Sequence, residues 1–178
     1  EYVAVCAKHN LHPRLGIMFE KFPTQLCDLK HIILYGSSGV GKYTQALNIV
    51  NRYSPSCLKY EKKTIIDYGN GKYQYVCKIS DIHYEIDMSL LGCNAKTIWH
   101  DIHGHITDII SGTTHKTGIL MCKNMHVIDA DLLEVLFSYI QDSCSTNPIQ
   151  LRYIFITESV SFLPDNIIQC CEIIPVPR

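Results

Sequence analysis

Arginine is scarce in this chain of 178 residues: Arg14, Arg52, Arg152 and Arg178 are all it has. Enzymes that pass phosphoryl groups between small molecules clamp the moving group with several arginines, whose planar fork fits phosphate. The second half of this chain offers only Arg152 and Arg178 for that task. No apolar run approaches the roughly 20 residues of a membrane-spanning helix. The N-terminus also lacks the charged-then-apolar layout of a secretory signal, so no membrane association is expected. Charge is modest at 19% of residues, and the formal net charge of -1 removes any global drive toward nucleic acid. Low-complexity stretches and internal repeats are absent, and 47% hydrophobic residues place the chain among globular domains. Cysteine, by contrast, is plentiful. Nine of them, an odd number at irregular spacing and without a secretory signal, read as reduced thiols of an intracellular protein. Adjacent Cys170 and Cys171 would form only a strained disulfide and read as two thiols at a strand start. The chain opens on Glu1 rather than Met, as a fragment or trimmed form would.

The densest local signal is Gly36-Ser37-Ser38-Gly39-Val40-Gly41-Lys42-Tyr43-Thr44. It follows the apolar run His31-Ile32-Ile33-Leu34-Tyr35 and leads into helix-compatible residues 45–50. Strand, glycine loop and helix in that order, with this glycine and lysine spacing, form a phosphate-binding P-loop. Its chemistry is electrostatic. Glycines let backbone N–H groups turn inward around a phosphate, the helix N-terminus adds partial positive charge, and Lys42 reaches the β- and γ-phosphates. One position departs from the motif: the residue after the lysine, Ser or Thr where Mg²⁺ is held, is Tyr43. Thr44 remains as a candidate Mg²⁺ ligand, but it lies about 100° further around the helix and serves only if the helix start is shifted.

The rest of the chain alternates strands and helices. A short helix is expected near residues 15–21, then strand 31–35 and helix 41–53, stopped at Ser54-Pro55. Runs 63–68 and 72–77 flank Gly69-Asn70-Gly71, a hairpin signal. Strand 82–87, helix 94–110, strand 117–122, helix 129–140 with Asp129 as N-cap, strand 151–157 and strand 172–176 follow. Continuous apolar strands separated by helices imply an α/β domain with a parallel sheet covered on both faces. Residues 1–29 read as an N-terminal segment and 30–178 as the domain proper.

A P-loop ATPase also needs a second acidic site, an apolar strand ending in Asp, often followed by Glu. Two strands compete: 82–86 ends in Asp87, and 118–122 ends in Lys123-Asn124. On the residues alone the nearer choice is Asp87. From the P-loop onward the chain resembles the small subunits of replication factor C, the AAA+ clamp loaders. Its loop is most similar to the subunit type that places lysine, then Thr, after the P-loop lysine. The resemblance runs through residues 82–89, the strand at 118–122, the helix at 131–139 and the segment 152–177. It implies a RecA-like three-layer AAA+ domain carrying an inserted β-hairpin. It places the second-acid strand at 118–122, so that Lys123 and Asn124 occupy the Asp-Glu positions and Asp87 becomes structural. It places the sensor position, usually Asn, at Glu158 or Thr157. It places the Ser-Arg-Cys motif, whose arginine acts on ATP of a neighbouring subunit, at Gln169-Cys170-Cys171, so the arginine finger is missing. Catalytic residues are therefore expected to be absent.

What the resemblance implies is an ATP- or ADP-binding subunit, hydrolysis-deficient, of a sliding-clamp loader in DNA replication. Its partners would be other clamp-loader subunits, the sliding clamp and primer-template DNA. The chain stops at Arg178, where the family's helical lid and collar begin. Richness in Tyr, Ile, Lys and Cys fits an AT-rich genome such as that of a large DNA virus, and the expected compartment is the nucleus, or the cytoplasm or viral factory. Two alternatives stand beside it: a P-loop nucleoside or nucleotide kinase, which the shortage of arginine disfavours, and a AAA+ scaffold module that binds no nucleotide. His100, His103 and His105 invite a metal reading, but their spacing fits no standard zinc pattern and surface histidines are the simpler expectation. The run Lys59-Tyr60-Glu61-Lys62-Lys63 reads as a solvated loop before the hairpin rather than a DNA contact, and Trp99 as core.

Overall fold

Side chains alternate sides along a strand, so a central strand buried on both faces feeds two cores at once. That is how this chain uses its apolar runs. The computed structural model describes residues 10–68, 73–144 and 148–178. Helix α1 (Pro13–Phe19) leads to strand β1 (His31–Tyr35), the glycine loop and helix α2 (Lys42–Tyr53). Strands β2 (Lys62–Tyr68), β3 (Tyr73–Ile79) and β4 (His83–Asp87) follow, then helix α3 (Ala95–Ser111). Strand β5 (Thr117–Lys123), helix α4 (Ala130–Cys144), strand β6 (Gln150–Thr157), helix α5 (Asp165–Cys170) and strand β7 (Cys171–Pro175) complete the order.

The seven strands form one sheet in the order β2-β3-β4-β5-β6-β1-β7. Every contact from β4 to β7 is parallel, while β2, β3 and β4 pair antiparallel. The expected parallel sheet and inserted hairpin are both present, and the hairpin extends the main sheet through β3. Its turn, at residues 69–71, lies outside the described residues.

On one face Ile32, Leu34, Ile119, Met121, Ile154 and Ile156 pack beneath α2, whose Ala46, Leu47, Ile49 and Val50 point down onto them. On the other, Ile33, Leu120, Cys122, Tyr153 and Phe155 pack under α3 and α4. Trp99, Ile102 and Ile106 of α3 are fully buried there, so Trp99 is core, as its neighbours suggested. Asp129 caps α4, its Oδ1 accepting the Leu132 N–H at 2.8 Å. Helix α5 was not anticipated; at six residues it is too short for its period to stand out. Phe19 and Phe22 join the α2 core, and the Tyr53 hydroxyl donates to Pro23 O at 2.9 Å, which seats the N-terminal segment beside the P-loop helix. Among the described residues no helix is long and apolar enough to cross a membrane.

Candidate phosphate-binding site

The glycine loop leaves the C-terminal end of β1, where β6 and β7 flank it. Tyr35 pairs with Thr157 on one side and Pro175 on the other, and Val176 N–H donates to Tyr35 O at 2.8 Å. Gly36 is required by contact: a Cβ there would meet Val176 O at 2.5 Å. Gly41 caps α2 in the left-handed region (φ 90°), which turns the loop into the helix axis. Lys42 begins the helix and is buried, its Nζ donating to Gly36 O at 2.7 Å and Ser37 O at 2.8 Å. Burial lowers its pKa, and the nearby Glu158 carboxylate opposes that shift. The result is an ammonium at the helix N-terminus, tied only to loop carbonyls, which suits an incoming phosphate.

A strap from the N-terminal segment holds the loop from outside. Val40 O can only accept, so His12 Nε2 donates to it, at 2.7 Å. Asn10 Oδ1 accepts both the His12 N–H at 2.9 Å and Gln45 Nε2 at 3.0 Å. Nothing in the spacing of these residues pointed to this role.

Tyr43 joins an ion network built around the buried Glu85. Its hydroxyl donates to Glu85 Oε1 at 2.7 Å and accepts from Lys78 Nζ at 3.1 Å. Lys123 Nζ donates to Glu85 Oε2 at 3.3 Å, and His83 Nε2 lies 3.2 Å from Oε1. Lys78 also pairs with Glu85 at 3.4 Å and with Glu61 at 2.8 Å. Both ammoniums sit by the Tyr43 ring, 5.8 Å and 5.5 Å from its centroid for Lys78 and Lys123. Burial alone would raise the Glu85 pKa, but hydrogen bonds from His83 and Tyr43 and the charges of Lys78 and Lys123 bring it down to about 2. Burial, then the bond to Glu85, pushes the Tyr43 phenol well above its usual range. Glu85 had not been singled out. The signal was present in the sequence: a Glu with a His two residues before it, on the same face of the strand His83–Asp87.

β5 lies next but one to β1, across β6, and ends in Lys123. Asn124, in the left-handed conformation, donates to Asp87 Oδ1 at 2.9 Å, and Ser89 N–H and hydroxyl bind the same oxygen at 3.1 Å and 2.6 Å. Asp87 thus holds the β4–β5 edge together. Thr157 is buried and donates to Ser159 O at 2.8 Å, while the next residue, Glu158, is exposed beside the loop. Cys170 ends α5 just before Cys171, which pairs with His31, so it lies at the opposite end of β1 from the loop. Thr44 is half-buried in the first turn of a helix that begins at Lys42.

Position 43 and its surroundings do not fit Mg²⁺. The hydroxyl at position 43 is engaged with Glu85 and Lys78, and Glu85 already binds two ammoniums. Lys123 brings positive charge beside the Tyr43 ring, 5.5 Å from its centroid. The one described group of three potential metal ligands, Glu61, His83 and Glu85, has the Lys78 ammonium among its oxygens. The α3 histidines are not part of it. His103 Nε2 lies 3.0 Å from the Tyr153 hydroxyl and its ring packs 4.2 Å from that of Tyr139, while His100 Nδ1 meets the Tyr139 hydroxyl. With Asp108 and Asp142 they line a cavity of about 300 Å³ between α3, α4 and β6.

No protein-family model and no curated protein matches this sequence. Solved structures do match. Two variants of RuvB from Thermotoga maritima align with TM-scores of 0.53 and 0.52 at 16% and 18% identity, over 96% of this chain and 44% of theirs. PCH-2 from C. elegans aligns with a TM-score of 0.53 at 10% identity, over 97% of this chain and 42% of its own. The chain thus spans less than half the length of these AAA+ ATPases, and its fold is the AAA+ RecA-like P-loop fold they share.

Proposed function

We propose that this chain is the nucleotide-binding module of a AAA+ subunit of the sliding-clamp-loader type, one that holds ATP or ADP without turning it over. The observation that carries it is the pairing of an intact phosphate cradle with a dismantled catalytic edge. Gly36 through Lys42 keep the geometry that wraps a phosphate. At the end of β5, where the resemblance puts the acid that polarises water, stand Lys123 bound to Glu85 and Asn124 bound to Asp87. No group there orients an attacking water, and an arginine finger alone contributes about 10³–10⁵ in rate.

The resemblance over residues 30–177 supports the clamp-loader assignment, with other loader subunits, the clamp and primer-template DNA as partners and an intracellular compartment as the place. A kinase reading has less support. Arg52 donates to Glu20 O and Phe22 O, and Arg152 to Cys27 O, so both are committed to backbone carbonyls. A scaffold without ligand is favoured by one observation, the satisfaction of Lys42 by loop carbonyls.

Binding of a fluorescent ADP analogue and release of phosphate from ATP test the proposal together. Expected are saturable binding that Lys42→Ala weakens at least about tenfold, and no phosphate release above background. Turnover at rates typical of active AAA+ sites overturns the hydrolysis-deficient reading. Absence of binding leaves the scaffold.

A further inference from the structure

We propose that the cavity between α3, α4 and β6 binds a small organic cation, an alkylated ammonium group. The cavity lies on the face of the sheet away from α2, so this inference does not depend on the phosphate loop. Its volume of about 300 Å³ is at the small end for ligand sites and suits a group of few atoms. Tyr139, Tyr153 and His103 bring three rings to its wall. The two hydroxyls are engaged with imidazoles: His103 Nε2 lies 3.0 Å from that of Tyr153, and His100 Nδ1 meets that of Tyr139. Rings held in this way offer π-electron density, which attracts cations.

Fixed charge on the wall has one sign. Asp108 and Asp142 line the cavity, and among the described residues no Lys or Arg does. The Asp142 charge acts on both His103 and Tyr139. Burial, then His100, lowers the His103 pKa to about 4, so that ring stays neutral near pH 7. Both carboxylates also stand where a helix is already negative. Asp108 lies in the last turn of α3 and Asp142 in the last turn of α4. The terminal carbonyls there carry the negative end of the helix dipole, and a carboxylate adds to it. Neither last turn holds a basic residue to offset this. Two helix ends and two carboxylates thus gather negative potential at one cavity, and a bound cation relieves it. A metal ion is not favoured. Among the described residues the one group of three ligands close enough for an ion is Glu61, His83 and Glu85, so the cavity's histidines and carboxylates do not converge on a point.

Gly104 leaves room in this wall. It lies inside α3, where glycine weakens a helix, and no neighbour requires it, since a Cβ there would meet nothing within 4 Å. It is exposed and lines the cavity, so a long side chain at this position has the cavity to fill.

Titration with choline, and with its uncharged isostere 3,3-dimethylbutanol, tests the proposal. Saturation-transfer NMR reads the binding. Emission of Trp99, the sole tryptophan, locates it, because its ring lies 6.0 Å from that of His103 and 6.3 Å from that of Tyr139. Expected is saturable choline binding that changes Trp99 emission, with the isostere at least about tenfold weaker. Asp142→Asn, an exposed change, is expected to weaken choline severalfold. Gly104→Leu favours the helix and is expected to abolish choline binding without lowering Tm. A trimethyllysine peptide titrated beside choline tells two sources of the group apart: tighter peptide binding assigns a protein side chain, tighter choline a free amine. No binding of either up to about 20 mM, equal binding of choline and the isostere, or choline binding that Gly104→Leu leaves intact overturns this inference. None of these outcomes bears on the nucleotide-binding reading.

Discussion

Tyr43 is the residue on which the reading of this protein turns. As an isolated departure from a motif it weakens a metal site; in the fold it is the joint between the phosphate loop and a buried carboxylate. Its ring lies by two ammoniums and its hydroxyl bridges Glu85 and Lys78. Tyr43→Phe keeps the ring and removes the bridge, leaving a buried carboxylate oxygen short of one donor. The expected loss is about 1–2 kcal/mol of unfolding free energy, read from the urea midpoint with an unchanged m-value. Tyr43→Ser restores the residue type of the motif, yet is expected to destabilise more, since it also removes the ring by Lys78 and Lys123. That ordering separates the network from a simple vestige of a metal site.

At the scale of elements, two substitutions test how the site is held. Asp129 caps α4 by a direct bond to the Leu132 N–H. Asp129→Ala is expected to cost about 1 kcal/mol of stability and, because α4 lies on the face of the sheet away from α2, to leave nucleotide affinity unchanged. Gly36→Ala acts differently. Its new Cβ meets the backbone carbonyl of Val176, which cannot swing aside as a side chain would. The register of β7 on β1 and the shape of the loop then conflict. The expected cost is about 1–3 kcal/mol, with nucleotide affinity falling as well. Thermal melts with and without ADP distinguish the two, since only the second variant should lose the ligand-induced rise in Tm.

For the whole molecule, acid is the sharpest probe, because several buried groups are protonated more easily once unfolded. Burial, then the charge of Arg152, lowers the His31 pKa to about 4; burial, then His100, lowers that of His103 to about 4. His31 Nδ1 accepts the Tyr153 N–H at 3.1 Å, which holds the ring neutral. Each depressed histidine contributes stability that is full above the unfolded value of 6.5 and is lost as pH falls toward 4. Glu85 continues the same trend, its contribution full above the unfolded 4.5 and lost as pH falls through about 2. Urea midpoints are therefore expected to decline steadily from pH 6.5 downward, and Glu85→Gln is expected to flatten the portion below 4.5.

Most of the elements were legible beforehand. β1 was expected at the residues where it lies, and helix 41–53 and strand 151–157 within a residue at their starts, because buried parallel strands and amphipathic helices carry their signal in local periodicity. The P-loop was legible for the same reason, since its chemistry sits in consecutive residues. Which strand carries the second-acid position was not decided by residues alone, because 82–87 and 117–123 both end in polar groups. The resemblance chose 117–123; in the sheet β5 lies next but one to β1, and its Lys123 ammonium stands 5.5 Å from the Tyr43 ring centroid. Glu85, Lys78 and His12 escaped notice because their partners stand 42, 35 and 28 residues away along the chain. The sequence by itself determined a glycine loop on an α/β sheet, since hydrophobic periodicity and backbone permissiveness are local properties. Only the tertiary structure decided what surrounds that loop, because ion pairs form across strands, and burial, which makes them matter, exists only once the sheet is assembled.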